Sequence, residues 1–262
     1  LVLTYPLIGN YGCAPKFNES KGVWLTGLVI KEESRVVSNW QAKESFGDFI
    51  RKHNLVSIKA IDTRSLAVHL RQKGQMLGAI STINFEPKAL LAKIEAFRKN
   101  QKQSFLPKIS VAKPTHLGKK NTKSKKIAVL DLGVSNSVIK QLEKLGLSIT
   151  LFPYNAKAQD ILRLKPHGLM ISGGPEEDVG LAEVITNVKS LIGRMPILGI
   201  STGHQVLAAA LGAKIVKMKL GHHGVNYPVH TPASYKGEIT VQNHSRVVDA
   251  DSLAKIKNIK IT

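Results

Sequence analysis

The sequence predicts an α/β protein: a doubly wound, mostly parallel sheet in its second half, preceded by a smaller α/β domain. Three observations carry this. Lys126-Ile127-Ala128-Val129-Leu130-Asp131 is a continuous apolar run, the mark of a strand covered on both faces. Strand-like and helix-like segments then alternate strictly, which is the pattern of a parallel sheet with crossover helices. Between Pro107 and Lys126 the chain holds seven lysines (108, 113, 119, 120, 123, 125 and 126) and no acid, together with Pro114 and Gly118. Like-charge repulsion and chain breakers make such a stretch a connector. The expected organisation is a first domain over 1–112, a linker over 113–125 and a second domain over 126–262.

In the first half, Gly27-Leu28-Val29-Ile30 and Leu55-Val56-Ser57-Ile58 read as short strands. Glu44 to His53 reads as an amphipathic helix with Phe46, Phe49 and Ile50 on one face. Asp62-Thr63-Arg64 opens a second helix, Ser65 to Lys73, stopped by Gly74, and Asp62 or Thr63 suits its N-cap. After the connector the expected order is strand 126–131, helix 137–145, strand 148–152, helix 158–164, strand 168–172, helix 179–191, strand 196–200 and a helix from Gln205 to Leu211. No internal repeat is visible.

Composition narrows the function classes. The 262 residues are 43% hydrophobic, enough for sizeable cores, and no apolar run approaches the roughly 18–20 residues that span a bilayer. The start, Leu1-Val2-Leu3-Thr4-Tyr5-Pro6, has no basic leader or cleavage site and reads as mid-strand, the expectation for a piece of a longer reading frame. Cys13 is the single cysteine, which excludes an internal disulfide framework and fits a reducing cytoplasm. The net charge of +20 raises a polyanion partner, but aromatics are only 5% and do not interleave with the basic residues. A solvated lysine-rich surface is the better reading, and neither a nucleic-acid nor a membrane partner is expected.

Two glycine-rich corners fall at expected strand ends, where open parallel sheets bind ligands: Ser172-Gly173-Gly174-Pro175 and Gly199-Ile200-Ser201-Thr202-Gly203. The second has the form G-x-S-x-G between an apolar strand and a helix, the setting of a nucleophile elbow. Its glycines permit a tight turn that lifts the central side chain above the sheet edge. The following helix N-terminus offers free N–H groups for an oxyanion. A small-residue turn without chemistry is the competing reading. The adjacent His222 and His223 have no cysteine or acid nearby and make a poor ligand set, so no metal is expected.

Gly199 to Gly212, with Lys217-Met218-Lys219-Leu220-Gly221-His222-His223-Gly224 and then Asn226, Pro228 and Val229, resembles the small subunit of carbamoyl-phosphate synthetase, a class I glutamine amidotransferase. That family carries G-I-C-L-G-H-Q followed by K-M-K-x-G-H-H-G-x-N-x-P-V. The resemblance extends through Leu3 to Gly12 (L-T-Y-P-x-I-G-N-x-G), Arg51-Lys52-His53-Asn54, Ile61-Asp62-Thr63-Arg64 and Gln242-Asn243-His244. It implies a class I amidotransferase domain behind a small-subunit N-terminal domain. Ser201 then occupies the nucleophile position, and Gly174, Glu176, Thr202, Gln205, Asn243, Ser245 and Arg246 the glutamine-contacting positions. The resemblance further implies a large partner subunit that holds ATP and Mg and joins ammonia to bicarbonate, with no cofactor on this chain. The product feeds arginine and pyrimidine synthesis in the cytoplasm.

The departures bear on activity. Ser201 stands where the family has cysteine, and a hydroxyl attacks an amide only with a well-placed base. The family's base is the histidine of an H-P-E sequence, and none of the nine histidines here is followed by Pro-Glu. Glu176 stands where the family usually has glycine, although related amidotransferases carry G-G-P-E. Ser245 and Arg246 replace glycine and an aromatic, and Val225 replaces glycine. Ammonia-dependent members of the family also carry G-I-S-T-G. The expectation is a small subunit impaired in glutamine hydrolysis, against which stand a silent scaffold subunit, a serine hydrolase using Ser201 and a nucleic-acid binder.

Overall fold

The computed structural model describes residues 1–100, 104–118, 124–230, 236–257 and 259. The chain forms two compact units, Leu1–Gln101 and Lys102–Thr262. No helix among the described residues is long and apolar enough to cross a membrane.

The first unit is built from short pieces. Strand β1 (Leu7–Ile8) pairs in parallel with β3 (Glu32–Glu33), and β2 (Leu28–Val29) pairs in parallel with β4 (Ser57–Ile58). Helix α1 (Phe46–Lys52) starts at Ser45, whose Oγ accepts from the Asp48 N–H at 3.1 Å. Helix α2 (Thr63–Lys73) starts at Asp62, whose carboxylate accepts from the Ser65 N–H at 2.9 Å, and stops at Gly74. Each cap satisfies an N–H that the helix itself cannot. Leu28, Ile30 and Leu55 form a small core, with Phe46 and Ile50 of α1 packed on it as the apolar face requires. A third helix, α3 (Pro87–Lys99), opens with proline at its first position, where no N–H is missed. The sequence reading had not assigned it.

The second unit holds a five-stranded sheet in the order β5 (Thr115–Leu117), β7 (Ser148–Pro153), β6 (Lys126–Asp131), β8 (Gly168–Ile171), β9 (Ile197–Gly199). All pairings are parallel except that of the β5 edge with β7. Ile127 lies opposite Gly168 in the parallel β6–β8 ladder. The crossovers are α5 (Asn136–Lys144), α6 (Ala158–Arg163) and α7 (Leu181–Lys189), and α8 (Thr202–Ala210) follows β9. Residues 128–132 are all buried, and Leu130, Ile171, Val184, Leu191 and Val206 share one cluster. A doubly wound, mostly parallel sheet is therefore present where alternation placed it.

The division between units falls earlier than the lysine-rich stretch, and residues 104–117 fold with the second unit. Helix α4 (Leu106–Ile109) is held by Asp178, which accepts from Ser104 Oγ and the N–H groups of Phe105 and Leu106. The Val111 N–H donates to the buried Asp131 at 2.8 Å. Thr115–Leu117, uncharged between lysines, is the antiparallel edge strand, so part of the expected 113–125 linker is sheet. Lys119, Lys120 and Lys123 lie outside the described residues.

Beyond α8 the chain runs into a long antiparallel ribbon, β10 (Ile215–His230) against β11 (Gly237–Val248), followed by the short helix α9 (Ala250–Ala254). Two register shifts, between Lys217 and His222 and between Gly224 and Tyr227, bend this ribbon.

Candidate functional site

Two strand ends and the ribbon build the site. Strand β6 ends at Asp131, whose Oδ1 accepts from the N–H groups of Gly133 and Val134, both at 2.9 Å. Next to it, Ser172 at the end of β8 accepts from the Leu132 N–H at 2.8 Å. These bonds fix the Gly173-Gly174 corner against the sheet. The fit leaves no room for a side chain at position 174, where a Cβ would run into the Leu132 carbonyl.

Ser201 leaves β9 with φ 54° and ψ −119°, outside the ordinary regions for a residue with a Cβ, and α8 begins at the next residue. Such strain persists only where the surroundings over-determine it, and it is the geometry a nucleophile elbow needs. The surroundings are visible: a Cβ on Gly203 would collide with the carbonyl oxygens of Ile171 and Ser172, and one on Gly199 with the backbone of Gly203 and His204. The two glycines let helix and strand meet backbone to backbone, and the turn between them thrusts Ser201 out exposed to solvent. A Cβ on Gly173 would lie 3.4 Å from Ser201 Cβ and 3.8 Å from its Oγ, so the two corners adjoin. Ser201 makes no capping bond to α8.

The remaining candidates divide. Thr202, fully buried, donates from Oγ1 to the Gly174 carbonyl at 2.5 Å and ties the corners together. Gln205, one turn along α8, donates from Nε2 to Glu176 Oε1 at 2.5 Å and to the Arg246 carbonyl at 3.2 Å. Glu176 also accepts from the Ser245 N–H (2.6 Å) and the Arg246 N–H (3.3 Å), so β11 is clamped to the corner after β8. Glu176, Thr202, Gln205 and Arg246 line a cavity of about 310 Å³ whose apolar wall comes from Leu181, Ile185, Val206 and Ile215. Asn243 is placed differently. It faces His223 across the ribbon, and its Oδ1 is bonded to His223 Nδ1 at 2.7 Å. Neither Ser201 nor Asn243 lines that cavity.

The sequence assigned no site role to Glu177, or to Lys217 of the Lys-Met-Lys motif. Glu177 pairs with Lys217 at 3.1 Å and with Arg246 at 3.2 Å. The Lys217 hydrogen bond, with the charges of Lys217 and Arg246 behind it, holds the Glu177 carboxyl below the usual glutamate range against the opposing effect of burial. The one signal in sequence was the acidic run Glu176-Glu177-Asp178 directly after Gly-Gly-Pro. The ribbon histidines are engaged with each other and with the ribbon. His222 Nδ1 lies 2.9 Å from Gln242 Oε1 and 3.2 Å from His244 Nε2, and His244 Nδ1 lies 3.0 Å from the Arg246 carbonyl. No ring nitrogen among the described residues is hydrogen-bonded to Ser201.

Known proteins resemble this chain over both of its units. Residues 128–262 match the family model for class-I glutamine amidotransferase, and residues 1–80 match that for the carbamoyl-phosphate synthase small chain, CPSase domain. The carbamoyl phosphate synthase small chain of Syntrophotalea carbinolica is 33% identical, over 97% of this chain and 70% of that protein. That of Caldanaerobacter subterraneus is 37% identical, over 98% of this chain and 68% of that protein. The pyrimidine-specific small chain of Bacillus subtilis is 33% identical, over 98% and 69%. With both units matched in order, the chain belongs to the carbamoyl phosphate synthase small chain family, the glutamine-amidotransferase partner of a larger synthase chain.

Proposed function

We propose that this chain binds L-glutamine at the joined corners and passes ammonia to a large, ATP- and Mg-using synthase subunit in the cytoplasm, for carbamoyl phosphate destined for arginine and pyrimidine synthesis, with its own glutamine hydrolysis impaired by Ser201. The observation that carries the reading is the strained backbone of Ser201 at the head of α8, wedged between Gly199 and Gly203. In such a site the side chain at 201 attacks the substrate's amide carbon, ammonia leaves, and water cleaves the resulting acyl group to give glutamate. The Thr202 N–H, the first of α8, suits the oxyanion of the tetrahedral step; those of Gly203, His204 and Gln205 are bonded to the Ile200 and Ser201 carbonyls. A serine hydroxyl needs a base to give up its proton. The Nδ1 atoms of His222, His223 and His244 are engaged within the ribbon, and no ring nitrogen among the described residues is hydrogen-bonded to Ser201.

That last point favours a second reading, a silent scaffold that supports synthesis from free ammonia. Glutaminase assays of the full-length protein separate the two. The serine form should turn over slowly, and Ser201→Cys should raise the rate by orders of magnitude, with a thioester visible by mass spectrometry. If the cysteine variant stays inert while a complex with the large chain makes carbamoyl phosphate from ammonia, the scaffold reading stands. Rapid turnover by the serine form would contradict both accounts of Ser201 and would direct attention to His204 and His244 as bases.

A further inference from the structure

The Glu176 carboxylate sits in a set of donors that has the makings of a ligand site. Three N–H groups from two separate elements converge on it: Gln205 Nε2 from α8 at 2.5 Å, and the backbone N–H groups of Ser245 (2.6 Å) and Arg246 (3.3 Å) from β11. Gln205 and Ser245 are each only 8% exposed, so these donors are held in place and poorly served by water. Two go to one carboxylate oxygen and one to the other, the arrangement in which a planar anion with two acceptor oxygens does best. Gln205 and Arg246, with Glu176 itself, line the cavity of about 310 Å³, which is at the small end of the range for small-molecule sites. Arg246, in the cavity wall, and Lys217 are in turn paired with Glu177.

We infer that Gln205 Nε2 and the Ser245 and Arg246 N–H groups form a carboxylate-binding cup, and that Glu176 fills it from within as a displaceable plug. This rests on the glutamine reading of the site and deepens it: the α-carboxylate of an amino-acid ligand competes with a carboxylate that the chain itself supplies. A tethered group acts at an effective concentration in the millimolar range, so the plug lowers ligand affinity by roughly tenfold or more without abolishing binding. A glutamine at 176 keeps the shape of the plug but offers one acceptor oxygen in place of two and an NH₂ that faces other donors, so it is a weaker occupant.

The test is an NMR titration of the full-length protein, with Ser201 unchanged so that turnover does not obscure binding. The Ser245 and Arg246 amide signals are followed on addition of L-glutamine and, separately, of acetate. In Glu176→Gly, L-glutamine should bind roughly tenfold tighter or more than to the unaltered chain, and adding Gln205→Ala should remove the gain. Binding of acetate but not L-glutamine to Glu176→Gly, again dependent on Gln205, would uphold the cup and sink the glutamine reading. A folded Glu176→Gly that binds neither ligand more tightly than the unaltered chain overturns the plug. If Glu176→Gly does not fold, Glu176→Gln decides: ligand-dependent shifts of the two amides larger than in the unaltered chain support the proposal, and unchanged shifts overturn it.

Discussion

The two units stabilise themselves by different means. In the second, β6, β7 and β8 bury nearly every side chain, and helices on both faces close over them. In the first, Leu28, Ile30 and Leu55 make a small core, while Trp40 is 88% exposed, Ile83 87% and Phe85 78%. Its order comes largely from local devices, such as the Ser45 and Asp62 caps and two-residue strand pairs. Local devices contribute about 1 kcal/mol each, whereas a fully buried leucine contributes several times that. The comparison teaches that tolerance to substitution should differ sharply between the units for the same chemical change.

The largest expected contrast is in core truncation. Leu130, on the central strand, is 1% exposed and packed among residues of several elements. Leu130→Ala should cost about 3–5 kcal/mol, because a rigid sheet cannot collapse into the void. Leu28 is equally buried but lies in the small cluster, where shorter elements relax more easily, so Leu28→Ala should cost nearer about 2–3 kcal/mol. Urea unfolding followed by far-UV circular dichroism checks the difference, and equal costs would break the comparison.

Glycines sharpen it. At Gly203 a methyl group would meet the Ile171 and Ser172 carbonyls, backbone that cannot move without dragging β8, so Gly203→Ala should cost about 2–3 kcal/mol. At Gly78, in the first unit, nothing lies within 4 Å of an added Cβ. Gly78→Ala should be neutral or stabilise by about 0.4–1 kcal/mol, through a less free unfolded chain. The same denaturation experiment reads both.

How much of this was legible in sequence follows the same divide. Strand β6 was visible because a strand covered on both faces must be apolar throughout, and G-x-S-x-G was visible because a helix cannot abut a strand that closely without glycine. The ribbon was not visible as strands: Ile215–His230 contains Gly221, Gly224 and Pro228 and is bent by register shifts, so its side chains never alternate cleanly. The edge strand Thr115–Leu117 was hidden by its lysine neighbours, whose charge says nothing about backbone pairing. In the site, the family resemblance named Glu176, Gln205, Ser245 and Arg246 separately. That one carboxylate joins them was beyond reach, since it links positions 69 and 70 residues apart.

Ser201 offers a smaller effect of opposite sign. Its φ 54°, ψ −119° is the mirror image of an ordinary extended conformation and is open to glycine. Ser201→Gly should therefore stabilise the second unit by about 1–2 kcal/mol while removing the side chain proposed as the nucleophile. A melting temperature that falls on this substitution would show that the corner holds Ser201 without strain.

The smallest effect concerns how each unit uses charge. In the first, the lowered carboxyls of Asp48 and Asp62 owe their shifts chiefly to Ser45 and Ser65, three residues away in sequence. In the second, Glu177 is lowered chiefly by the hydrogen bond from Lys217, which comes from β10. A carboxyl held below its unfolded value adds stability above that value, about 4.3 for glutamate, and loses it as the pH falls through the folded value. Because Glu177 is half-exposed, with 49% of its side chain in solvent, the contribution should be at most about 1 kcal/mol and should shrink with salt. The unaltered protein should thus melt slightly above Glu177→Gln at pH 7, and the gap should narrow as the pH falls from about 4.3 through the lowered folded value, below which both side chains are neutral. A gap that persists undiminished at pH 3 would mean that Glu177 holds the ribbon by its shape, not by its charge, and the contrast between local and long-range charge pairing would fail.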